Sequence, residues 1–195
     1  MRSLFLCALA LACTLPAWAT AEDAGPASNR RLEIYASELE TRDRIFGQGR
    51  VWIDSLVVVD SAAWFELRNA TGLTELESPV ILHWMRGPDG QLLGAYRVAS
   101  EVGKYLPFEF LVALDGELAV KEVVVLNYRE ARGGQVQRTR FTGQFRGKTA
   151  SSPIDLNRDI IGISGATLSA QAVTRGIKKT LWWAGRAFAV GEGRP

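Results

Sequence analysis

Cysteine and histidine are scarce in this sequence of 195 residues. Both cysteines, Cys7 and Cys13, lie in an N-terminal segment that we expect to be removed, so the mature protein would contain no thiol. This excludes a disulfide, a thiolate nucleophile and a cysteine-ligated metal site. His83 is the single histidine, and a lone histidine without cysteines is rarely a metal ligand, so we expect it to pack structurally.

A strong charge imbalance and a long hydrophobic run are also lacking. The 23 basic and 21 acidic residues leave a net charge of +2, which gives no global argument for nucleic-acid binding. The apolar run at residues 4–15 is too short to span a bilayer, because a transmembrane helix needs about 20 apolar residues.

That apolar run instead fits a secretory signal peptide. Arg2 supplies a minimal positive region, and Pro16 ends the run just before the small-x-small sequence Ala17-Trp18-Ala19. We therefore predict a signal peptide at residues 1–19, a flexible leader at residues 20–30 and export to the periplasm. Cleavage after Ala21 and lipoprotein processing at Cys13 remain alternatives, although the residues before Cys13 match the lipoprotein pattern poorly.

Strand patterns dominate the middle of the chain. Short turn sequences, such as Gly87–Gly90 and Asp115-Gly116, separate successive apolar and β-branched segments, which predicts an antiparallel sheet. The predicted strands are residues 79–86, 92–99, 106–114 and 118–128, with a further candidate at 51–59. The secondary-structure pattern of residues 32–46 is ambiguous. Residues 60–78 have a mixed pattern with turn residues at 69–72, and a short helix is expected at 139–145.

The last element is an amphipathic helix that starts near Ser169. At about 100° per residue, its apolar residues fall on one narrow stripe: positions 170, 173, 177, 181, 184 and 188. Together with the strands, this helix predicts an α+β fold in which helices pack on an antiparallel sheet. We assign residues 92–190 to the main domain and residues 31–91 to an N-terminal extension or an early part of it.

Directly before this helix lies the small-residue sequence Gly162–Ser169. The first-turn N–H groups of a helix have no intrahelical partners, and the helix dipole adds partial positive charge there. Gly165 and Ala166 would let a ligand approach the backbone, while Ser164, Thr167 and Ser169 offer hydroxyls. The pattern fits a phosphate site, and it fits an ordinary Ser/Thr helix cap as well.

The sequence Ser164-Gly-Ala-Thr-Leu-Ser169, with Ala172-Val-Thr174 and Ile177-Lys-Lys179 after it, resembles the attachment motif of the FMN-binding domain family. This family includes the flavin subunits of the sodium-pumping quinone reductase and Rnf complexes. Four segments upstream of the motif are also similar to the family: Gly103–Phe108, Val123–Glu130, Arg132–Gly134 and Phe141–Lys148. The resemblance therefore covers about residues 92–185.

The resemblance implies FMN as the cofactor, joined to Thr167 as a phosphoester by a dedicated flavin transferase. The implied cofactor-binding residues are Ser164, Gly165, Ala166, Thr167, Leu168, Ser169 and Glu130, with the Gly133-Gly134 loop also placed to line the ring. A solvated loop charge is the alternative for Glu130. The family usually has an acidic residue three positions before the serine, where this chain has Ile161, which puts the efficiency of attachment in doubt.

A periplasmic electron carrier is the function that these features predict, without substrate chemistry of its own. Its partners would be the transferase and a membrane reductase or cytochrome. The helical wheel predicts a docking surface on a basic face with two indoles, formed by Arg175, Lys178, Lys179, Trp182, Trp183 and Arg186. The alternative is that the N-terminal segment packs over this face. The alternative function is a redox-regulatory or scaffold module that binds FMN without a covalent bond.

Overall fold

The computed structural model describes residues 32–58, 60–73 and 79–191, so the predicted signal peptide and leader lie outside the described residues. A five-stranded antiparallel sheet has the order β2-β3-β4-β5-β6, and β1 pairs with β7 beside it. The strands are β1 Glu33–Ile34, β2 Trp52–Val57, β3 Val80–Arg86, β4 Leu92–Val102, β5 Pro107–Asp115, β6 Val120–Val125 and β7 Asn127–Tyr128.

Four α-helices surround the sheet in the described ranges. They are α1 Glu38–Phe46, α2 Ser61–Thr71, α3 Thr139–Thr142 and α4 Thr167–Ala189. Two 3-10 turns, Gly134–Gln137 and Gly143–Phe145, flank α3. The α+β fold and the antiparallel strands predicted from the turn spacing are confirmed. No helix in the described part of the chain has both the length and the hydropathy that crossing a membrane requires.

Helix α2 is the main element that the sequence interpretation missed, because residues 60–78 showed a mixed pattern with turn residues at 69–72. The side chain of Asp60 caps this helix by accepting a hydrogen bond from the Ala63 N–H at 2.7 Å. Gly72 ends it in the left-handed conformation, at φ +70°, which glycine adopts without a steric penalty. The turn chemistry at 69–72 was therefore the end of a helix.

Helix α4 packs on one face of the sheet and contributes its whole predicted stripe. Ala170, Val173, Ile177 and Ala184 are fully buried there. They meet alternate residues of the strands, including Phe110 on β5, as the period-2 alternation of strand side chains requires. This packing fixes where α4 begins relative to the sheet.

Helix α1 covers part of the opposite face. Phe46 at its end packs in a second cluster with Met85, Tyr96 and Leu111. Gly94 on β4 allows this approach, because a Cβ there would lie 2.7 Å from the Phe46 ring. Helices therefore pack on both faces of the sheet, and β2 and β3, from the first part of the chain, belong to the same sheet as β4, β5 and β6.

Candidate cofactor site

The start of α4 is open to solvent. Thr167 is the first helical residue and its side chain is exposed. Ala166 occupies the cap position and provides no side-chain hydrogen bond. The first turn contains no acidic residue, so nothing there neutralises the positive end of the helix dipole. Unpaired N–H groups, a dipole and an accessible hydroxyl together suit a phosphate group.

The turn before the helix separates accessible hydroxyls from buried ones. Gly165 has φ +78°, and a Cβ added there would meet nothing within 4 Å, so space is open on that side. Ser164 is exposed and Leu168 is 47% exposed, whereas Ala166 and Ser169 are each only 3% exposed. Of the predicted hydroxyls, those of Ser164 and Thr167 can therefore be reached by a large ligand.

Ser169 instead anchors the helix to the loop after β7. Its Oγ lies 2.6 Å from the Tyr128 hydroxyl, which donates to the Arg132 carbonyl at 2.8 Å. Since that bond uses the tyrosine proton, the Ser169 hydroxyl donates to Tyr128 Oη. Burial raises the pKa of Tyr128, while its hydrogen bond to Ser169 lowers it in part. The sequence interpretation did not single out Tyr128, because 41 residues separate it from its partner.

Glu130 is part of the same neighbourhood but has a structural task. Its Oε1 accepts hydrogen bonds from the backbone N–H groups of Tyr105 at 2.7 Å and Leu106 at 3.0 Å. This carboxylate therefore holds the turn between β4 and β5. A Cβ on Gly103 would lie 3.0 Å from Glu130 Oε1 and 3.5 Å from Ser169 Oγ, so the turn reaches the first turn of α4.

Ile161 occupies the position where the family usually has an acidic residue. Its side chain is 76% exposed. Gln144 fixes its backbone on both sides, accepting from the Ile161 N–H at 2.8 Å and donating to its carbonyl at 3.1 Å. Asp159 faces elsewhere, because its Oδ2 accepts from the Asp155 N–H at 3.3 Å. Asp159 therefore does not supply the carboxylate that is missing at position 161.

Two clefts in the described part of the chain lie away from the helix start. One, of about 300 Å³, is lined by residues of the 149–155 loop together with Lys178, Leu181 and Trp182. The other, of about 500 Å³, runs beside β6 and α3. Neither of these two clefts is lined by residues 164–169, and the exposed side chains of Ser164 and Thr167 make the candidate site accessible from the surface.

Comparison with known proteins bears on this surface directly. Residues 103–181 match the family described as the FMN-binding domain, a stretch that includes Glu130 and the start of α4. This part of the chain is therefore similar to an FMN-binding domain. The cofactor is FMN, and the open start of α4, at the positive end of the helix dipole, fits the phosphate of that cofactor. The match begins just after β4 and ends within α4.

A solved structure similar to this chain is the crystal structure of Shewanella oneidensis NqrC. It is 15% identical, covers 78% of this chain and 90% of its own, and superimposes with a TM-score of 0.45. The assignment of FMN as the cofactor rests on the family match and not on this likeness. No curated protein matches the sequence.

The predicted docking face on α4 is wrong. Trp183 is fully buried, and Lys179 is 4% exposed with its Nζ 2.8 Å from Glu101 Oε1. Arg175 donates to the other oxygen of Glu101 at 2.6 Å. Helix α2, from the first part of the chain, packs against α4, as the alternative interpretation expected.

The remaining residues of that predicted face are also engaged. Trp182 is half-buried and packs edge-on against Trp183, with ring centroids 4.5 Å apart. Lys178 pairs with Asp155 at 2.7 Å, and Arg186 pairs with Glu66 on α2. Each cation is bound to a carboxylate of this chain, so the face offers little free charge to a partner.

Proposed function

We propose that this protein is a periplasmic electron-transfer protein that carries one FMN, joined through its phosphate to Thr167. The observation that carries the proposal is the exposed Thr167 hydroxyl at the uncapped start of α4, within the stretch that matches the FMN-binding domain family. Ser169 is a poor acceptor because it is buried against Tyr128. Ser164 is exposed, but it precedes the helix and lies outside its first turn.

Attachment requires a flavin nucleotide with a good leaving group. The Thr167 Oγ1–phosphorus bond would form while the phosphoanhydride bond of a flavin dinucleotide breaks, and the nucleoside monophosphate would leave. The hydroxyl proton would pass to a base of the flavin transferase. No oxidation or reduction occurs in this step. Free FMN is a poor donor by comparison, because its phosphate would have to expel hydroxide or water.

The residues of this chain would hold the phosphate and keep the helix start in place. The N–H groups of the first turn point toward the phosphate position, and the helix dipole favours its negative charge. Tyr128 fixes the first turn through Ser169, and Gly165 leaves room beside it. Bound FMN supplies one- and two-electron transfer, which no side chain of this protein provides.

An open surface site favours a carrier over a catalyst. Small-molecule substrates are usually bound in clefts, and neither of the two described clefts includes Thr167. An exposed redox group suits exchange of electrons with another protein. We infer that the partners are a membrane reductase or cytochrome and, for maturation, the flavin transferase. The signal-peptide layout of residues 1–19 supports a periplasmic location.

Reversible FMN binding, in a redox-regulatory or scaffold module, is the second candidate. Ile161 favours it, because a carboxylate at this exposed position could orient the metal-bound substrate of the transferase. Without it, attachment would be slow and the protein would hold FMN by its phosphate alone. The two candidates share the helix start but differ in whether a bond to Thr167 forms.

Intact mass spectrometry separates the candidates. Wild type, Thr167→Ala and Ser164→Ala are each exported into a periplasm that contains a flavin transferase and are then purified. The intact mass of each protein is measured. The covalent carrier predicts a gain of one FMN less one water in wild type and Ser164→Ala and no gain in Thr167→Ala. Unmodified wild type that binds added FMN reversibly would support the second candidate and contradict the first.

A further inference from the structure

Three exposed cations lie in segments beside the start of α4, and we call them the basic rim: Lys104, Arg129 and Arg132. Lys104 follows Gly103, whose Cβ position lies 3.5 Å from Ser169 Oγ. The carbonyl of Arg132 accepts the hydrogen bond of Tyr128, which in turn contacts Ser169.

Arg129 lies between Tyr128 and Glu130 in the chain. The carboxylate of Glu130 reaches the Gly103 turn, so this part of the loop also borders the first turn of α4. All three side chains of the basic rim therefore belong to segments that contact the helix start.

No carboxylate among the described residues pairs with a cation of the basic rim, whereas several other surface cations are paired. Elsewhere, Arg44 pairs with Glu122, Lys178 with Asp155, and Arg186 with Glu66. Lys104 instead lies 4.7 Å from the centroid of the Tyr105 ring. Glu130 belongs to the same loop, and its Oε1 accepts two backbone hydrogen bonds. Three cations and this one carboxylate leave the segments beside the helix start with an excess of positive charge.

Charge is also segregated along the chain. Residues 127–148 contain six basic residues and one acidic residue, a net charge of +5. The whole chain has a net charge of +2, so the other residues together carry −3. The segment with the excess begins at the basic rim. The excess of positive charge therefore lies in the part of the chain that includes Arg129 and Arg132.

Apolar side chains lie within the basic rim. Tyr105 is 57% exposed and Leu168, next to Thr167, is 47% exposed. Protein interfaces commonly combine an apolar or aromatic centre with a charged, hydrated border. Exposed apolar residues beside unpaired cations therefore form a surface suited to a partner rather than to solvent alone.

We propose that the basic rim docks an acidic surface of the protein that exchanges electrons with the flavin. The inference rests on the proposed function, because it assumes that the redox group is attached at the helix start. An acidic protein is the occupant that the charges favour, and a lipid headgroup is less suitable because it carries no redox centre. Complementary charge would accelerate encounter and orient the partner with its redox group toward Thr167.

Small redox probes of opposite charge test the field at the flavin. FMN-loaded protein, with its loading verified by mass, is reduced and then mixed with ferricyanide or hexaammineruthenium(III). Each probe ion accepts one electron, so two ions oxidise each fully reduced flavin. We expect the double variant Arg129→Glu/Arg132→Glu to slow flavin oxidation by ferricyanide about 10–100-fold at low salt. Oxidation by the ruthenium probe should become faster in this variant, and both effects should be lost at high salt.

Arg68→Glu is a control for charge reversal away from the site, since Arg68 is exposed on α2, whose Glu66 pairs with Arg186 near the far end of α4. The Arg132 side chain can be replaced without removing the carbonyl that binds Tyr128. Equal rates for wild type and the double variant with both probes would overturn the proposal, even where mass spectrometry shows FMN on Thr167.

Binding by the protein without flavin gives a readout that does not depend on loading. A labelled oligoglutamate peptide serves as the acidic probe, and vesicles containing phosphatidylglycerol serve as the anionic membrane. We expect peptide binding at low salt that weakens at least tenfold in the double variant and stays unchanged in Arg68→Glu. Equal binding in all three proteins, or binding to vesicles alone, would contradict docking of an acidic protein here.

Discussion

The Tyr128 hydroxyl and Ser169 Oγ lie 2.6 Å apart and join the end of β7 to the first turn of α4. Both side chains are buried. Because Tyr128 also donates to the Arg132 carbonyl, one phenol connects the strand, the glycine loop and the helix that begins at Thr167. The orientation of the proposed flavin site depends on this contact.

Tyr128→Phe should therefore destabilise the protein. The Arg132 carbonyl and the Ser169 hydroxyl would both lose a partner, and a buried polar group without a partner costs about 1–3 kcal/mol. Urea unfolding measures the effect. Tyr35→Phe is the control, because its hydrogen bond to Glu33 is exposed, and we expect a loss of about 0.5 kcal/mol or less. Equal losses in the two variants would contradict the role of Tyr128.

Gly133→Ala should also destabilise the domain, by at least about 2 kcal/mol, as expected for strained backbone and overlap. Gly133 has φ +101°, and a Cβ there would lie 2.2 Å from Tyr128 Oη and 2.4 Å from Ser169 Oγ.

Removing the phenol oxygen relieves one of these overlaps. The loss in Gly133→Ala combined with Tyr128→Phe should be smaller than the sum of the separate losses, as measured by a double-mutant cycle in urea. Strict additivity would show that the glycine is needed for its backbone conformation alone.

Asp155 links the loop before the flavin motif to α4, and its contribution should depend on pH. The hydrogen bond from Lys178 holds the pKa of Asp155 below its usual range. A lowered folded-state pKa stabilises the protein at pH values above the unfolded pKa of about 3.9, and the contribution is lost as the pH falls through the folded pKa.

Asp155→Asn should then cost about 0.2–1 kcal/mol at neutral pH, since the pair is partly exposed. The difference from wild type should shrink as the pH falls below about 4, where the carboxylate becomes protonated. Urea unfolding at several pH values measures it. A difference that persists undiminished in acid would mean that the asparagine disturbs packing rather than charge.

Ile161→Asp should increase covalent flavinylation. The side chain is 76% exposed, so the substitution buries no charge and opens no cavity, and it restores the carboxylate that the resemblance to the family leads us to expect. The fraction of modified protein after a fixed time with the transferase, read by intact mass, should rise severalfold. Ile161→Asn controls for size without charge. An equal rise in both variants would remove the carboxylate from the explanation.

Local sequence patterns were sufficient for the sheet and for the buried stripe of α4. The turns at Gly87–Gly90 and at Asp115-Gly116 delimit strands that the structure contains. Residues Ala170, Val173, Ile177 and Ala184 fall on the predicted stripe and are buried. Periodicity predicts such elements because the pattern and the buried face arise from the same few residues.

The same reasoning failed where a distant residue determines the environment. The helical wheel placed Lys179 at the surface, but Glu101 on β4 accepts its charge inside the protein. Trp183 is buried because α4 is covered by the sheet on one side and by α2 and the 149–160 loop on others. A helix with several covered faces buries more than its apolar stripe, which local sequence does not reveal.

Peptide mass spectrometry tests the central claim most directly. Trypsin releases Asp159–Arg175 from the protein matured with the flavin transferase, and this peptide contains Ser164, Thr167 and Ser169. Fragmentation along the peptide locates any added mass. The account predicts the mass of one FMN less one water on Thr167. The same mass on Ser164 or Ser169, or on a different peptide, would contradict it.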